Sequence, residues 1–186
     1  FNNVCGFMTF HGPMPSTDYT VHSSYTLDSL KENIFGYMPH RVYNPEGKAI
    51  SVLVKGKAKG IITGGNLSLL AGTLGSPYEI DTKNKIIFIE DVSEEPYRID
   101  KNLTALALAG KFNEAAGIVF GIFADCENKD TSQESLTLEQ IIEEVVLPCG
   151  KPVITGFHAG HIYPQPAIPM GAEAVLDTSK DYIEFI

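Results

Sequence analysis

The chain has 186 residues, with 14 Lys+Arg against 23 Asp+Glu and a formal net charge of −9. That length fits one globular domain, or one domain with a piece of another, and 44% hydrophobic with 20% charged residues is the composition of a folded protein. The acidic balance, without a basic stripe, argues against nucleic acid, and no apolar run approaches the ~20 residues of a spanning helix, which argues against a membrane span.

Along the chain, residues 4–10 form an apolar run that ends at His11-Gly12-Pro13. The pattern predicts a buried strand delivered into a turn, where Pro13 and Pro15 forbid continuation. Residues 26–36 suit a short helix capped by Thr26 or Asp28, with Leu27, Leu30 and Ile34 at helical spacing. Three short strands follow at 41–43, 50–55 and 57–63, separated by Asn-Pro-Glu-Gly and Lys-Gly-Lys, and they read as a meander of hairpin-like connections. Lys55, Lys57 and Lys59 alternate, which puts them on one strand face, in the manner of a solvated edge that discourages aggregation.

Residues 61–63 run into Gly64-Gly65-Asn66, predicted to be a tight turn, after which Leu67, Leu69, Leu70 and Leu74 line a short helix. Residues 85–90 make a compact buried strand. Pro96 then suits a first helical turn, and Ile99, Leu103, Leu106 and Ala107 continue at helical spacing as far as Gly110. Residues 117–124 are the next buried strand, and Thr137-Leu-Glu-Gln140 offers a capping box for a helix burying Leu138, Ile141, Ile142, Val145 and Val146. Pro148 and Gly150 stop it. A strand at 151–155, a loop-like stretch at 156–171 and a terminal hairpin from 174–176 and 182–185 complete the chain. Strands alternating with helices after residue 60, behind a β-only stretch, indicate an α/β domain with a mixed sheet.

Three cysteines, Cys5, Cys126 and Cys149, are odd in number, far apart and free of CxxC spacing, so neither a disulfide framework nor a zinc ribbon is indicated. A reducing, cytoplasmic compartment is the simplest reading. The first residue is Phe1 rather than Met, and no signal peptide opens the chain, so the chain reads as a piece of a longer protein.

Chemistry has three candidate seats. Glu90 and Asp91 close a fully apolar strand, where open α/β sheets gather functional side chains, and alternation sends Phe88 and Glu90 to one face and Ile89 and Asp91 to the other. The plainer reading is a carboxylate that caps the next turn. The second seat is Gly156-Phe-His158-Ala-Gly160-His161, where one histidine suits a general base, a metal pair lacks a third ligand, and surface histidines without a role are equally compatible. The third is Thr63-Gly64-Gly65-Asn66-Leu-Ser68, a glycine turn before a helix that offers N–H groups to an anion but lacks the spacing of the known phosphate loops; a packing turn is the stronger reading. A nucleophile is missing. Ser68 stands between leucines rather than on an elbow, and Cys126 leads into a polar loop rather than a helix that would lower its pKa. An acid and a histidine without the attacked hydroxyl leave that group to be supplied from elsewhere.

Several strings, taken together and in order, resemble the LD-carboxypeptidase family. They are Thr9-Phe-His-Gly-Pro-Met14, the Gly64–Tyr78 segment, Ile87-Phe-Ile-Glu-Asp-Val92 with Glu95-Pro-Tyr-Arg98, and Gly156-Phe-His-Ala-Gly-His161. The family comprises serine peptidases that include murein tetrapeptide carboxypeptidases and microcin C immunity peptidases. The resemblance implies that residues 1–20 are the end of an N-terminal domain that carries the nucleophilic serine, and that 21–186 are a C-terminal domain of the swivelling β/β/α type. It also implies Glu90 and His161 as the glutamate and histidine of a Ser-Glu-His triad, with no role assigned to His158. The glycine segment suggests Gly65 and Asn66 as substrate-binding residues. Further implications are a muropeptide or other peptide substrate, no cofactor, no metal, a homodimer, and an isolated chain that is inactive without its missing domain. A microcin-immunity-type peptidase acting on aminoacyl-nucleotide amides is the alternative inside the family, and a binding or assembly module without catalysis is the alternative outside it.

Overall fold

A computed structural model describes residues 2–14, 23–36, 40–129, 132 and 134–186. Its core is an eight-stranded mixed sheet. The strands are β2 (His40–Tyr43), β3 (Ser51–Val54), β4 (Lys57–Asn66), β5 (Ile86–Val92), β6 (Gly117–Ala124), β7 (Val153–Thr155), β9 (Glu173–Asp177) and β10 (Tyr182–Phe185). Their spatial order is β2-β10-β9-β4-β5-β6-β7-β3. The four central strands β4 to β7 run parallel, while β9, β10 and β2 on one side and β3 on the other are antiparallel. A separate two-stranded ribbon joins β1 (Thr9–His11) to β8 (Ile168–Met170).

Strands β5 to β7 are largely apolar because both faces of the sheet are covered there. Ile87, Ile89, Ile118 and Phe120 point to the side occupied by α3 (Leu67–Gly72), α4 (Pro96–Leu108), α5 (Lys111–Glu114) and α6 (Leu138–Val145), where Leu67, Ile99, Leu103, Phe112, Ile141 and Ile142 meet them. Phe88, Val119 and Ile62 point the other way, into a cluster with Phe157, Ile168 and the buried residues of β9 and β10. Local signals fix several helix ends as the sequence predicts. Pro96 begins α4, where its missing N–H costs nothing, and Thr137 and Gln140 form the reciprocal capping box of α6.

Other expectations are corrected. Residues 4–10 are not a buried strand. They comprise the end of α1 (Asn2–Cys5), an irregular stretch at 6–8 and the start of β1, and Val4, Phe7, Met8 and Phe10 are exposed. The reason is topological, since β1 pairs only with β8 in the ribbon and never enters the main sheet. The strands at 40–66 do not form a meander, because β2 goes to β10, β3 to β7 and β4 between β9 and β5. Lys57 and Lys59 therefore lie on a central strand rather than an edge, and they meet Asp177 (2.8 Å) and Glu173 (3.3 Å) across the β9 ladder. The turn expected at 64–66 is also absent. There β4 continues to Asn66, with Gly64 at φ +127° so close to β5 that an added Cβ would lie 1.9 Å from the Phe88 carbonyl oxygen.

α2 (Ser24–Phe35) is capped by Ser23, whose Oγ accepts the Thr26 N–H, rather than by Thr26 or Asp28. Its buried side chains are Thr26 and Ser29, not the predicted apolar row, and Ile34 is exposed. The polar face is buried because it secures a loop: Thr26 and Ser29 hydroxyls accept the N–H groups of Gln165 and Ala167, and Asn33 donates to the Ala167 carbonyl. Pro15 and the rest of 15–22 lie outside the described residues. The three cysteines are free thiols.

Candidate active site

The parallel strands end together at Asn66, Val92, Ala124 and Thr155, so the loops that leave them converge on one end of the sheet, where sites of open α/β sheets gather. At that end β6 carries an irregularity. Ile89 pairs with Phe120 and Asp91 with Phe123, so Gly121 and Ile122 together oppose Glu90. This is a β-bulge, a device that re-aims side chains. On the β7 edge of β6 the Ile122 N–H donates to the Ala159 carbonyl (2.9 Å), and the Phe157 N–H donates to the Phe120 carbonyl (3.2 Å). The segment after β7 is thereby stitched across the sheet end, with His161 over Glu90.

The adjacent carboxylates have separate tasks. Asp91 is buried on the helix side, where its oxygens accept from Asn66 Nδ2 (2.6 Å), Ser68 N–H (3.1 Å), Ser68 Oγ–H (2.8 Å) and its neighbour Val92 N–H (2.9 Å). It tethers the start of α3 to β5. Glu90 faces the other way and is fully buried, and its Oε2 accepts both the backbone N–H of His161 (3.2 Å) and the ring Nδ1–H (2.8 Å). A carboxylate offers only acceptors, so in the neutral ring this contact selects the tautomer with the proton on Nδ1 and the lone pair on Nε2. Gly160 makes the approach feasible: at φ +126°, an added Cβ would stand 3.0 Å from Glu90 Oε2. Burial pushes the Glu90 carboxyl upward, but the imidazoles of His11 and His161 more than offset it and hold the group below the ordinary glutamate range.

Beside this pair lies a cleft of about 510 Å³, lined by the imidazoles of His11 and His161, the Tyr163 side chain, and the apolar side chains of Phe10, Met14 and Ile162. No serine, threonine or cysteine is among the described residues that line it. Of the predicted residues, Glu90 and His161 are in contact, whereas neither Gly65 nor Asn66 lines the cleft. Asn66 caps α3, its Oδ1 accepting the Leu69 N–H while its Nδ2 donates to Asp91, and Gly65 pairs with Ile89 in the ladder. His158 is buried, with Nδ1 2.9 Å from the Pro164 carbonyl oxygen and its N–H on Asn44 Oδ1, so it braces the loop. Ser68 is held by Asp91 and by Asn102. Burial pushes the Cys126 thiol up, which keeps it protonated and a poor nucleophile. Among the described residues no three His, Cys, Asp or Glu side chains are grouped to hold a metal, and no helix is long and apolar enough to cross a membrane.

One residue of the site is absent from the predicted set. His11, at the end of β1, directs Nε2 to within 3.6 Å of Glu90 Oε1. The signals in the sequence were a histidine placed directly before a Gly-Pro turn and its place in the Thr9–Met14 string.

Residues 59–176 match the model of a family described as the LD-carboxypeptidase C-terminal domain. The chain is 42% identical over 175 residues to a probable murein peptide carboxypeptidase of Bacillus subtilis, covering 94% of this chain and 54% of that protein. It is 31% identical over 202 aligned positions to the microcin C7 self-immunity protein of Escherichia coli, covering 92% and 57%. Among solved structures, a muramoyltetrapeptide carboxypeptidase from Oxalobacter formigenes superimposes with a TM-score of 0.81 at 26% identity, covering 97% of this chain and 61% of that one. The chain thus spans little more than half the length of the proteins it matches.

Proposed function

The chain belongs to the LD-carboxypeptidase family, matching its C-terminal domain, and from that premise we propose that it supplies Glu90 and His161 to a Ser-Glu-His triad that removes a terminal D-amino acid from murein tetrapeptides. The observation that carries the reading is the buried Glu90 carboxylate fixing His161 Nδ1–H at 2.8 Å at the mouth of a cleft. That contact orients an imidazole whose Nε2 is free to act as a base.

In this reading residues 21–186 are the C-terminal domain and 1–20 the end of a preceding domain that carries the serine. The exposed apolar side chains of Val4, Phe7 and Met8 are consistent with packing against further protein, as is the length of the relatives. The serine Oγ attacks the carbonyl carbon of the amide that joins an L-centre to the terminal D-residue, and His161 Nε2 takes the hydroxyl proton. The imidazolium returns that proton to the leaving amine nitrogen as the C–N bond breaks. Water, deprotonated by the same Nε2, then attacks the acyl carbon, and the imidazolium gives its proton to the serine Oγ as the acyl C–O bond breaks. Glu90 remains ionised throughout and stabilises the imidazolium. The setting is cytoplasmic turnover of cell-wall peptides.

The test is D-alanine release from a murein tetrapeptide by the protein expressed with whatever sequence precedes Phe1 in its gene. Release that falls at least about 10³-fold in His161→Ala supports the reading. No release by the intact protein, or undiminished release by the variant, overturns it. The likeness to a microcin self-immunity protein favours a second reading, hydrolysis of an aminoacyl-nucleotide amide, which a parallel incubation with such a compound distinguishes.

A further inference from the structure

Glu90 divides its two oxygens unequally. Oε2 accepts both donors of His161, while Oε1, equally buried, has no hydrogen bond and faces His11 Nε2 at 3.6 Å. A buried carboxylate oxygen without a donor is costly, and the facing nitrogen stands only a few tenths of an ångström beyond hydrogen-bond range. The other nitrogen of His11, Nδ1, is buried with no partner of its own. A proton on Nδ1 would lack an acceptor, whereas a proton on Nε2 is directed at Oε1. The ring is also restrained, edge-on to Phe88 with centroids 5.1 Å apart, and its strand position is set by the pairing of His11 with Ile168. His11 and His161 are the titratable groups that face Glu90, one from the β1–β8 ribbon and the other from the loop after β7.

We propose that His11 is a positioning residue of the site: its Nε2–H binds Glu90 Oε1, which fixes the rotation of the carboxylate so that Oε2 stays beneath His161. Glu90 is then clamped between two imidazoles, and the ribbon that carries His11 takes part in setting the tautomer of His161. The catalytic meaning rests on the triad reading above, but the clamp is measurable without turnover.

The experiment uses NMR of the protein labelled at the glutamate carboxyl carbons and the histidine ring nitrogens, with two substitutions. His11→Phe keeps a ring against Phe88 and deletes the donor, whereas His11→Gln keeps a donor near the Nε2 position. The clamp requires that the Glu90 titration rise in His11→Phe and return toward the unsubstituted protein in His11→Gln, with the His161 Nδ1 signal following the same order. In the intact enzyme kcat should drop about tenfold in His11→Phe, the loss expected for one hydrogen bond to a charged group, with KM unmoved. A packing role alone would lower stability and leave the Glu90 and His161 signals in place, and that result overturns the proposal. Should His11→Phe not fold, the unsubstituted protein decides: a His11 ring protonated on Nε2 supports the clamp, and one protonated on Nδ1 alone overturns it. Normal NMR behaviour in a protein that releases no D-alanine would sink the peptidase reading and spare the clamp.

Discussion

Replacing Gly160 with alanine perturbs the Glu90–His161 contact without touching either group. At φ +126° an alanine sits outside the regions open to L-residues, at a cost of about 1–3 kcal/mol. Its Cβ would then stand 3.0 Å from Glu90 Oε2, 3.1 Å from Glu90 Cβ and 3.1 Å from the Ile122 carbonyl oxygen, where ordinary contact begins at 3.4 Å. The Ile122 side of this slot cannot retreat easily, because the Ile122 N–H is bound to Ala159 at 2.9 Å. Relief must come from Glu90, whose Oε2 is displaced from His161. The sum is roughly 2–4 kcal/mol, within the reserve of an ordinary domain, so the variant should fold and lose activity beyond its loss of stability. Gly65→Ala is the control. Gly65 has a similar φ of +138°, yet an added Cβ there would meet nothing within 4 Å, so only the backbone part of the cost applies. Urea midpoints and, in the protein expressed with the sequence that precedes Phe1, D-alanine release of the two variants should therefore diverge under the proposed function, with Gly160→Ala losing at least about tenfold more turnover per folded molecule. Equal turnover in the two would refute the argument that the Gly160 slot holds the dyad in place. A raised KM in Gly65→Ala would instead assign that glycine to substrate binding.

Asp91→Ala leaves the Ser68 N–H and hydroxyl and the Asn66 amide without their acceptor, and should destabilise the protein by about 2–4 kcal/mol in urea titration; turnover per folded molecule should change far less than in Glu90→Gln, and the reverse order would exchange the roles assigned to the two carboxylates. Acid should act through Glu90. Its carboxyl lies below the ordinary range in the folded protein, so the unfolded chain takes up the proton first as pH falls. The stabilisation is complete above the unfolded value and is lost as pH drops through the folded one, so the urea midpoint should decline more steeply with acid in the unsubstituted protein than in Glu90→Gln, and parallel curves would contradict this.

What was legible in the sequence is what neighbours in the chain decide. The strand at 117–124, Pro96 at a helix start and the Thr137–Gln140 box follow from local periodicity and capping, and the structure has each of them. Alternation alone separated Glu90 from Asp91, but the plainer reading there, a carboxylate that caps the next turn, is not what Asp91 does: it binds Asn66 and Ser68 at the start of α3, earlier in the chain. What stayed hidden depends on partners far away in the chain. Lys57 and Lys59 looked like an edge because nothing local announces that Asp177 and Glu173 lie opposite. The leucine spacing of α2 predicted an apolar buried face, whereas the helix uses Thr26, Ser29 and Asn33 to tie down a loop some 135 residues later. The pairing of Glu90 with His161 was one reading among several on the residues alone, suggested by triad logic and selected by the family resemblance, and His11 had no periodic context that could distinguish it from a turn histidine.

One end of β5 bears two carboxylates with unrelated work because alternation sends Glu90 and Asp91 to opposite faces. The next segment is received on the far edge of β6, where the Ile118 N–H, the Phe120 carbonyl and the Ile122 N–H alternate toward β7 and the chain that follows it. Gly121 and Ile122 both lie opposite Glu90, and the 157–161 segment extends the β7 side of the sheet at that level. Two glycines permit the close layering: a Cβ on Gly121 would lie 2.5 Å from the Ala159 carbonyl oxygen, and one on Gly160 would press on Glu90. Ladder pairing is thus interrupted at Glu90, the residue that holds His161, while Asp91, back in register with Phe123, holds the helix on the opposite face.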